Sequence, residues 1–499
     1  MRERITYVQK LGDSLEPSAV RVDDDVIQGP EVHAVREDRL TIALDELPSE
    51  LRTVVAGTQD LHIRWVSTAA YGTVSPLLTR LPPGFHLFFT PGRNHAVTDG
   101  LCSILSGIFG DISCTTPAES FTAVHEDRFQ YFQELNDLSH FIQYAKGQLC
   151  GPSDESCSAR LDTLSEAGSL DLSYDISQKV LRVTALWPYQ RQHVHATSRP
   201  KVRTEVGILS TDKPKTLEAH EIGISGLLTV LGQDSTPSPT MFSFASRHRD
   251  AESAFSAEFL TPTGLHPTLQ LQLTSANPPP STADEDATCT PYAYLTLPRT
   301  IFADKYQLSD PLFLASKNLT ALRHTTQPVD LEAPEYAMAQ WGSTVLLELS
   351  PPPPTQPHQQ QEGEWTASIP LHLRYLAPAP GGYATAAVPY PAVFWACEPA
   401  QGGTVFPPNP FERTHLGYDG LFRGDTVFWH VEPRPAAGGG LLVNEVRVPV
   451  LDVDRAGWVN AGTAAAVLVG FAWVVWKIVG VWAGGVNGGG AEEREKKRQ

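Results

Sequence analysis

Residues 441–483 read LLVNEVRVPVLDVDRAGWVNAGTAAAVLVGFAWVVWKIVGVWA, and this stretch decides the fold class. Its first part, Leu441–Val453, alternates apolar and polar side chains as a half-buried β-strand does. The next part, Val459–Trp476, is apolar or weakly polar, and a helix of that length measures roughly 27 Å. Continued to Ala483, such a helix can cross a hydrocarbon core of about 30 Å with some tilt. The stretch therefore predicts a β-rich body followed by one transmembrane helix, residues 459–483.

The residues around this helix predict its orientation. Trp473, Trp476 and Lys477 lie toward its C-terminal end, and the tail AEEREKKRQ is basic at its close, as on the cytosolic side of a membrane. We therefore expect residues 484–499 to be cytosolic and the body to be lumenal. Lys496 and Lys497 resemble the dilysine retrieval signal of endoplasmic-reticulum membrane proteins, and a plain basic flank is the alternative.

Composition narrows the class of protein. The chain has 499 residues and a formal net charge of −18, which argues against a nucleic-acid surface. The opening residues MRERITYVQKLGDSLEP contain no apolar signal-peptide core, so we expect the C-terminal span to direct membrane insertion. A tail-anchored protein with a cytosolic body is the alternative topology. The six cysteines show no paired C-x-x-C metal spacing; some could form disulfides, Cys150 and Cys157 being closest in sequence, but spacing leaves the connectivity open.

The pattern along the chain predicts two regions before the helix. Residues 1–274 mix strand-like runs with one amphipathic helix predicted across 119–149, so this region is expected to be α+β. Residues 275–290 combine prolines with acidic residues and predict a linker. Residues 291–454 consist of short β-branched and aromatic runs between Gly/Pro turns, which predicts an antiparallel sandwich-like domain. The fold class is therefore a mainly β body, with some α in the N-terminal part, plus one C-terminal transmembrane helix.

Few residues suggest catalysis. Asp452 and Asp454 have the Asp-x-Asp spacing of metal-dependent glycosyltransferases, although a polar strand end explains them as well. His193 and His195 could share a strand face, but no third ligand is marked nearby. There is no P-loop, dinucleotide fingerprint or His-Glu-x-x-His motif. We therefore predict no catalytic residue, no metal and no cofactor.

One sequon is present. Asn318-Leu319-Thr320 matches the Asn-x-Ser/Thr acceptor, and a glycan there requires a lumenal body.

Three stretches resemble the PIG-X family: LPRTIFADKYQLSD (297–310), APEYAMAQWGSTVLLEL (333–349) and IPLHLRYLAPAPGGYATAAVPYPAVFWACE (369–398). The N-terminal runs, such as REDRLTIALDELPSEL (36–51), resemble the extended form of filamentous fungi, the protease B-nonderepressible proteins. The resemblance implies a non-catalytic, single-span protein of the endoplasmic-reticulum membrane. It would stabilise the polytopic catalytic subunit of the mannosyltransferase that adds the first mannose in glycosylphosphatidylinositol (GPI) anchor synthesis.

Within the resemblance, residues 370–398 are the expected functional core. Leu373, Arg374 and Tyr375 are its least replaceable positions, with Arg374 pairing with a carboxylate inside the domain or reaching the partner. Two other functions stay open: a general lumenal chaperone needed for protease maturation, and a metal-dependent glycosyltransferase working through Asp452 and Asp454.

Overall fold

The structure is a computed structural model that describes all 499 residues except 93–99, 126–127, 152, 200, 215–216, 218–219, 280–286, 327–328, 352–363, 401–405, 414–415, 437–439 and 496–499. Strands account for 45% of it and helices for 23%, and one C-terminal apolar helix is long enough to span a membrane. The predicted mainly β fold class is confirmed.

A 12-stranded sheet forms most of the N-terminal region. Its strands are β1 Arg2–Gln9, β2 Arg21–Asp23, β3 Val26–Ala43, β4 Thr58–Val66, β5 Gly84–Pro91, β6 Thr122–His125, β7 Arg128–Gln133, β8 Ser169–Asp175, β9 Val180–Thr197, β10 Arg203–Asp212, β11 Glu221–Val230 and β12 Ser238–Ala245. They follow the order β12-β11-β10-β1-β3-β9-β8-β4-β5-β7-β6, and β2 pairs with β3. Neighbours are antiparallel, apart from the parallel pair β1 and β10.

A second sheet of eight strands follows the order β17-β18-β15-β22-β23-β13-β14-β19. The remaining strands of the chain are β13 His248–Phe259, β14 Thr268–Leu273, β15 Thr288–Pro298, β16 Ile301–Phe302, β17 Leu319–Thr325, β18 Gly342–Leu349, β19 Trp365–Pro370, β20 His372–Leu373, β21 Tyr383–Pro389, β22 Ala392–Glu398, β23 Val427–Pro433 and β24 Val443–Pro449. Two-stranded sheets join β16 with β20 and β21 with β24. The eight-stranded sheet is antiparallel except for the parallel pair β13 and β23.

Seven α-helices complete the described part of the chain: α1 Ser49–Ala56, α2 Leu101–Phe109, α3 Pro117–Ser120, α4 Ser139–Leu149, α5 Glu155–Asp162, α6 Pro311–Ala315 and α7 Ala456–Glu495. Phe109 of α2 and Phe141 of α4 stack with ring centroids 5.3 Å apart, and both belong to the large apolar core that covers one face of the 12-stranded sheet. An apolar helix face is thus buried on an apolar sheet face.

The other face of the 12-stranded sheet packs against the eight-stranded sheet. Phe88 of β5 and Phe394 of β22 belong to one buried apolar cluster. A segment between β22 and β23 contributes Leu416 and Tyr418 to this cluster and Phe411 to a neighbouring one. The two sheets and this segment therefore share buried apolar clusters.

Two details differ from the sequence pattern. The helix predicted across 119–149 is interrupted: residues 119–120 end the short α3 and 139–149 form α4, but residues 122–125 and 128–133 pair in the sheet as β6 and β7. The run IPLHLRYL at 369–376 is strand-like in sequence, but β19 ends at Pro370 and pairing resumes for only two residues in β20. Proline cannot donate to a sheet ladder, which fits an interruption there.

The predicted division at 275–290 stays a prediction, and residues 280–286 of that linker lie outside the described residues. The strands β13 and β14 precede it and yet pair in the sheet that otherwise follows it, with β23 and β19 as partners. The chain divides by contacts into one unit of residues 1–374 and 386–446 and another of 375–385 and 447–499.

All six cysteines form disulfides. Cys102 pairs with Cys114, Cys150 with Cys157, and Cys289 of β15 with Cys397 of β22. The last pair joins residues that lie directly opposite each other on neighbouring strands.

The second unit leads into the long helix. The amide of Val450 donates to the carbonyl of Gly382 at 3.0 Å, and the Arg447 guanidinium lies 3.9 Å from the ring centre of Tyr383. Within residues 453–483, an 18-residue window has a mean hydropathy of 2.1, and length and composition allow this part to cross a membrane.

Candidate functional site

Two of the three positions predicted as least replaceable lie in or next to a short ribbon formed by β16 and β20: Leu373 belongs to β20 and Arg374 follows it. Ile301 pairs with Leu373 and Phe302 with His372. The amide of Leu373 also donates to the carbonyl of Leu265 at 3.0 Å. Leu373 is buried, so its side chain supports the ribbon from inside. The ribbon thus joins the chain before β17, the loop before β14 and the start of the 370–398 core.

Arg374 follows the ribbon and is buried, with 5% of its surface exposed. Its guanidinium lies 4.6 Å from the ring centre of Phe302, and Nη1 donates to the carbonyl of Ala333 at 2.8 Å. Burial lowers the pKa of Arg374, and the carboxylate of Asp330 opposes that shift. The side chain thus holds the 330–333 loop against the ribbon, and the pairing with a carboxylate or with the partner stays a prediction.

A histidine pair fixes the other side of the ribbon. Nδ1 of His266 lies 3.0 Å from Nδ1 of His372, and Nε2 of His372 lies 3.0 Å from Oε1 of Gln307. Nε2 of His372 must donate to the Gln307 oxygen, because that oxygen can only accept. The Nδ1 of His372 is then the acceptor of the His266 proton. Burial, together with His266, lowers the pKa of His372, which favours this neutral arrangement.

The remaining predicted positions are placed as follows. Tyr375 begins the second unit, and 70% of its surface is exposed. Lys496 and Lys497 lie outside the described residues, so the retrieval signal stays a prediction. Asn318 is exposed between α6 and β17, with φ +56°, and its Nδ2 donates to the carbonyl of Thr366 at 2.7 Å. Nδ2 carries a second hydrogen, so this bond leaves the amide nitrogen one position for a glycan.

The alternative metal sites have other roles in the structure. Asp452 accepts a hydrogen bond from the amide of Asp454 at 3.1 Å, and its other oxygen lies 3.5 Å from Nε of Arg455. It therefore caps the turn before α7. His193 and His195 are exposed on β9, with ring centroids 6.3 Å apart. Among the described residues, no three His, Cys, Asp or Glu side chains are placed to hold a metal ion.

The structure also brings together a buried charge cluster that sequence patterns missed, formed by Glu37, Asp171 and Arg413. Arg413 forms an ion pair with Glu37, and its Nε lies 3.5 Å from Oδ2 of Asp171. Burial lowers the pKa of Arg413, but the two carboxylates outweigh burial and raise it above its ordinary value. The cluster joins β3 and β8 of the large sheet to the segment before β23. The charged run REDR at 36–39, inside an otherwise strand-like pattern, was the available signal.

Comparison with known sequences identifies the family. A profile described as PIG-X / PBN1 matches residues 262–479. "Protein pbn1" of Neurospora crassa is 59% identical over 489 residues, covering 96% of this chain and 95% of that protein. "Protein PBN1" of Gibberella zeae is 47% identical over 488 residues and covers 96% of each chain. "Protein pbn1" of Emericella nidulans is 40% identical over 509 residues, covering 96% of this chain and 95% of that protein.

Comparison with solved structures adds no argument. The C-terminal domain of the Streptococcus pyogenes antigen I/II-family protein AspA has a TM-score of 0.13 at 8% identity, over 89% of this chain and 99% of that chain. The sequence relatives, by contrast, match from the first sheet through the apolar helix. On these identities and coverages, the chain belongs to the PIG-X / PBN1 family.

Proposed function

We propose that this protein is the non-catalytic, stabilising subunit of the mannosyltransferase that adds the first mannose in GPI-anchor biosynthesis. It would be a single-pass protein of the endoplasmic-reticulum membrane, with a lumenal body and a cytosolic C-terminus. Its partner would be the polytopic catalytic subunit. Membership of the PIG-X / PBN1 family supports the role that the quoted stretches imply.

The observation that carries the proposal is the combination of a disulfide-containing β body with one apolar helix that follows it directly. All six cysteines are paired, and structural disulfides persist in oxidising compartments such as the lumen of the endoplasmic reticulum. The helix could hold that body at the membrane surface. An exposed sequon at Asn318 agrees with the same orientation.

Stabilisation would follow from mass action. A protein that binds the folded catalytic subunit, and not its unfolded form, stabilises it by about 2.7 kcal/mol when its concentration is about 100 times the dissociation constant. Anchoring both proteins in one membrane raises their effective concentration without a new contact. The body therefore needs a rigid docking surface, and it needs no catalytic group of its own.

The test is rapid depletion of this protein followed by a chase of protein half-lives. We expect the catalytic subunit to be degraded several-fold faster, while unrelated polytopic proteins of the same membrane keep their half-lives. An unchanged half-life of the catalytic subunit would contradict the proposal. A general loss of membrane and secreted proteins would instead support the chaperone alternative, to which exposed apolar side chains such as Leu312 also lend themselves.

A second arm addresses the glycosyltransferase alternative. The Asp452→Asn variant keeps a side-chain oxygen to cap the Asp454 amide, so the turn before α7 should be retained. We expect full mannosyl transfer in microsomes and normal amounts of both subunits. Loss of transfer with both subunits present in normal amounts would favour a catalytic role for Asp452.

A further inference from the structure

Exposed apolar side chains are concentrated in one part of the first unit. Four of its described large apolar side chains have at least 65% of their surface exposed: Met241 at 68%, Tyr306 at 66%, Leu312 at 84% and Tyr336 at 65%. Three of the four lie within residues 306–336. Single exposed apolar residues need no explanation, but several presented by one substructure indicate an interaction site. We call Tyr306, Leu312 and Tyr336 the 306–336 surface.

The ribbon of β16 and β20 holds the chain segments that carry these side chains. Gln307, next to Tyr306, is bonded to His372 of the ribbon. The loop before Tyr336 is held because Arg374 donates to the carbonyl of Ala333. The side chains of the 306–336 surface are thus exposed on segments that hydrogen bonds fix to the predicted functional core.

Leu312 has a fixed orientation as well. It lies in the first turn of α6, where the carboxylate of Asp310 accepts from the Leu312 amide at 2.9 Å and from the Phe313 amide at 3.4 Å. Leu314, on the opposite side of this short helix, is buried. The cap and the buried leucine hold the helix in place, so Leu312 faces solvent without a stabilising role in the core.

The charge around these residues discriminates between a lipid and a protein partner. Residues 304–336 contain five acidic side chains (Asp304, Asp310, Asp330, Glu332, Glu335) and three basic ones (Lys305, Lys317, Arg323). Glu335 pairs with Arg299 and Arg323 pairs with Glu348, which leaves four acidic side chains and two basic ones. An anionic lipid surface attracts basic clusters and not a segment of net negative charge. Tyrosine and large apolar residues surrounded by charge are typical of protein interfaces.

We infer that the 306–336 surface docks a polypeptide segment that presents apolar side chains flanked by lysine or arginine. That this polypeptide belongs to the catalytic mannosyltransferase subunit rests on the proposed function. The three exposed side chains fill pockets of the partner, and acidic residues beside them, such as the exposed Asp310 and Glu332, face its basic flanks. Large central residues of this kind dominate binding at protein interfaces, so Leu312→Asp weakens the complex about 30-fold.

The test uses the full-length protein in its own membrane. A photoreactive benzoylphenylalanine replaces Leu312 in one sample and Tyr306 in another, and Met241 in the matched control, which is equally exposed on β12. After irradiation, adducts are identified by mass spectrometry. In parallel, we measure the amount of catalytic subunit that co-purifies with Leu312→Asp, with Met241→Asp and with the unmodified chain. The thermal transition of each variant is measured to verify folding.

Two results together support both the surface and the proposed function. The first is adducts with the catalytic subunit at positions 306 and 312 but not at 241, and the second is a loss of co-purification confined to Leu312→Asp. Adducts with a different polypeptide, again absent at 241, support the surface and overturn the proposed partner. Adducts with lipid alone, or with nothing, while the catalytic subunit still co-purifies with Leu312→Asp, overturn the surface and leave the proposed function standing.

Discussion

Arg413→Met is the substitution whose effect the structure determines most directly. Arg413 exposes 8% of its surface, and its partners Glu37 and Asp171 expose 1% and 3%. Removing one member of a buried ion pair typically costs about 3–5 kcal/mol, because the remaining charge stays buried without compensation. Arg39, 3.2 Å from Glu37, and Arg64, 3.6 Å from Asp171, still offset part of that cost. We therefore expect a loss of about 3 kcal/mol in the free energy of unfolding.

The assay is urea unfolding of the full chain in detergent micelles, followed by tryptophan fluorescence. The control is Arg423→Met, which removes an arginine that is half exposed and 2.6 Å from Asp425; a surface pair of this kind contributes about 0–1 kcal/mol. The double variant Glu37→Leu with Arg413→Met removes both charges and should recover part of the loss. An Arg413→Met variant as stable as the control would refute the assignment of Arg413 as the link between the 12-stranded sheet and the segment before β23.

Four further outcomes are expected. Asn318→Gln removes a mobility shift that endoglycosidase H also removes from the native protein, and a native protein without that shift contradicts use of the sequon. Burial raises the pKa of Glu412 from 4.5 to about 7. The proton on Glu412 therefore stabilises the fold at low pH, and this contribution is lost as the pH rises through 7. In urea titrations, the free energy of unfolding of the native chain should fall by about 3 kcal/mol between pH 4.5 and 7.5, relative to that of Glu412→Gln. Replacing Cys289 and Cys397 together by alanine should cost about 4–5 kcal/mol, because their bond closes a loop of 108 residues, and an unchanged urea midpoint would contradict this. Arg374→Leu leaves a carbonyl of the 330–333 loop without its donor and should cost about 1–3 kcal/mol, with faster limited proteolysis in that loop than in the native chain.

Local pattern predicted the strands well. The strand-like runs KVLRVTALW (179–187) and GISGLLTVLG (223–232) fall mainly in β9, which begins at Val180, and in β11, which ends at Val230. The helix predicted across 119–149 was wrong over 122–125 and 128–133, although its apolar residues recur at helical spacing. Residues 128–133 pair with β5 and residues 122–125 pair with β7, and pairing within a sheet outweighs local spacing.

What the sequence could not reveal are the contacts between distant segments. A strand alternates in the same way whatever its neighbour, so the parallel pairing of β1 with β10 has no local signal. Arg413 lies 376 residues from Glu37, and neither position shows by its neighbours which charge will face it. The 306–336 surface has no local sequence signal either, because an exposed leucine is recognised only when the buried residues around it are known. The stretches quoted on either side of Leu312, 297–310 and 333–349, therefore indicated a family and not a surface.

The family profile begins at residue 262, but the fold does not divide there. Strand β13 starts at His248 and pairs with β23, inside the matched region. The Trp341 indole of the matched region donates to the carbonyl of Gln130 at 2.9 Å, and Arg413 pairs with Glu37, so N-terminal residues complete the environment of buried polar groups in the matched region. Leaving such groups unpaired costs more than their pairing contributes. The N-terminal sheet therefore stabilises the folded state of the matched region. Substitutions at the contacts between the two should alter the amount of folded protein, whereas substitutions at the 306–336 surface should alter the affinity for the partner.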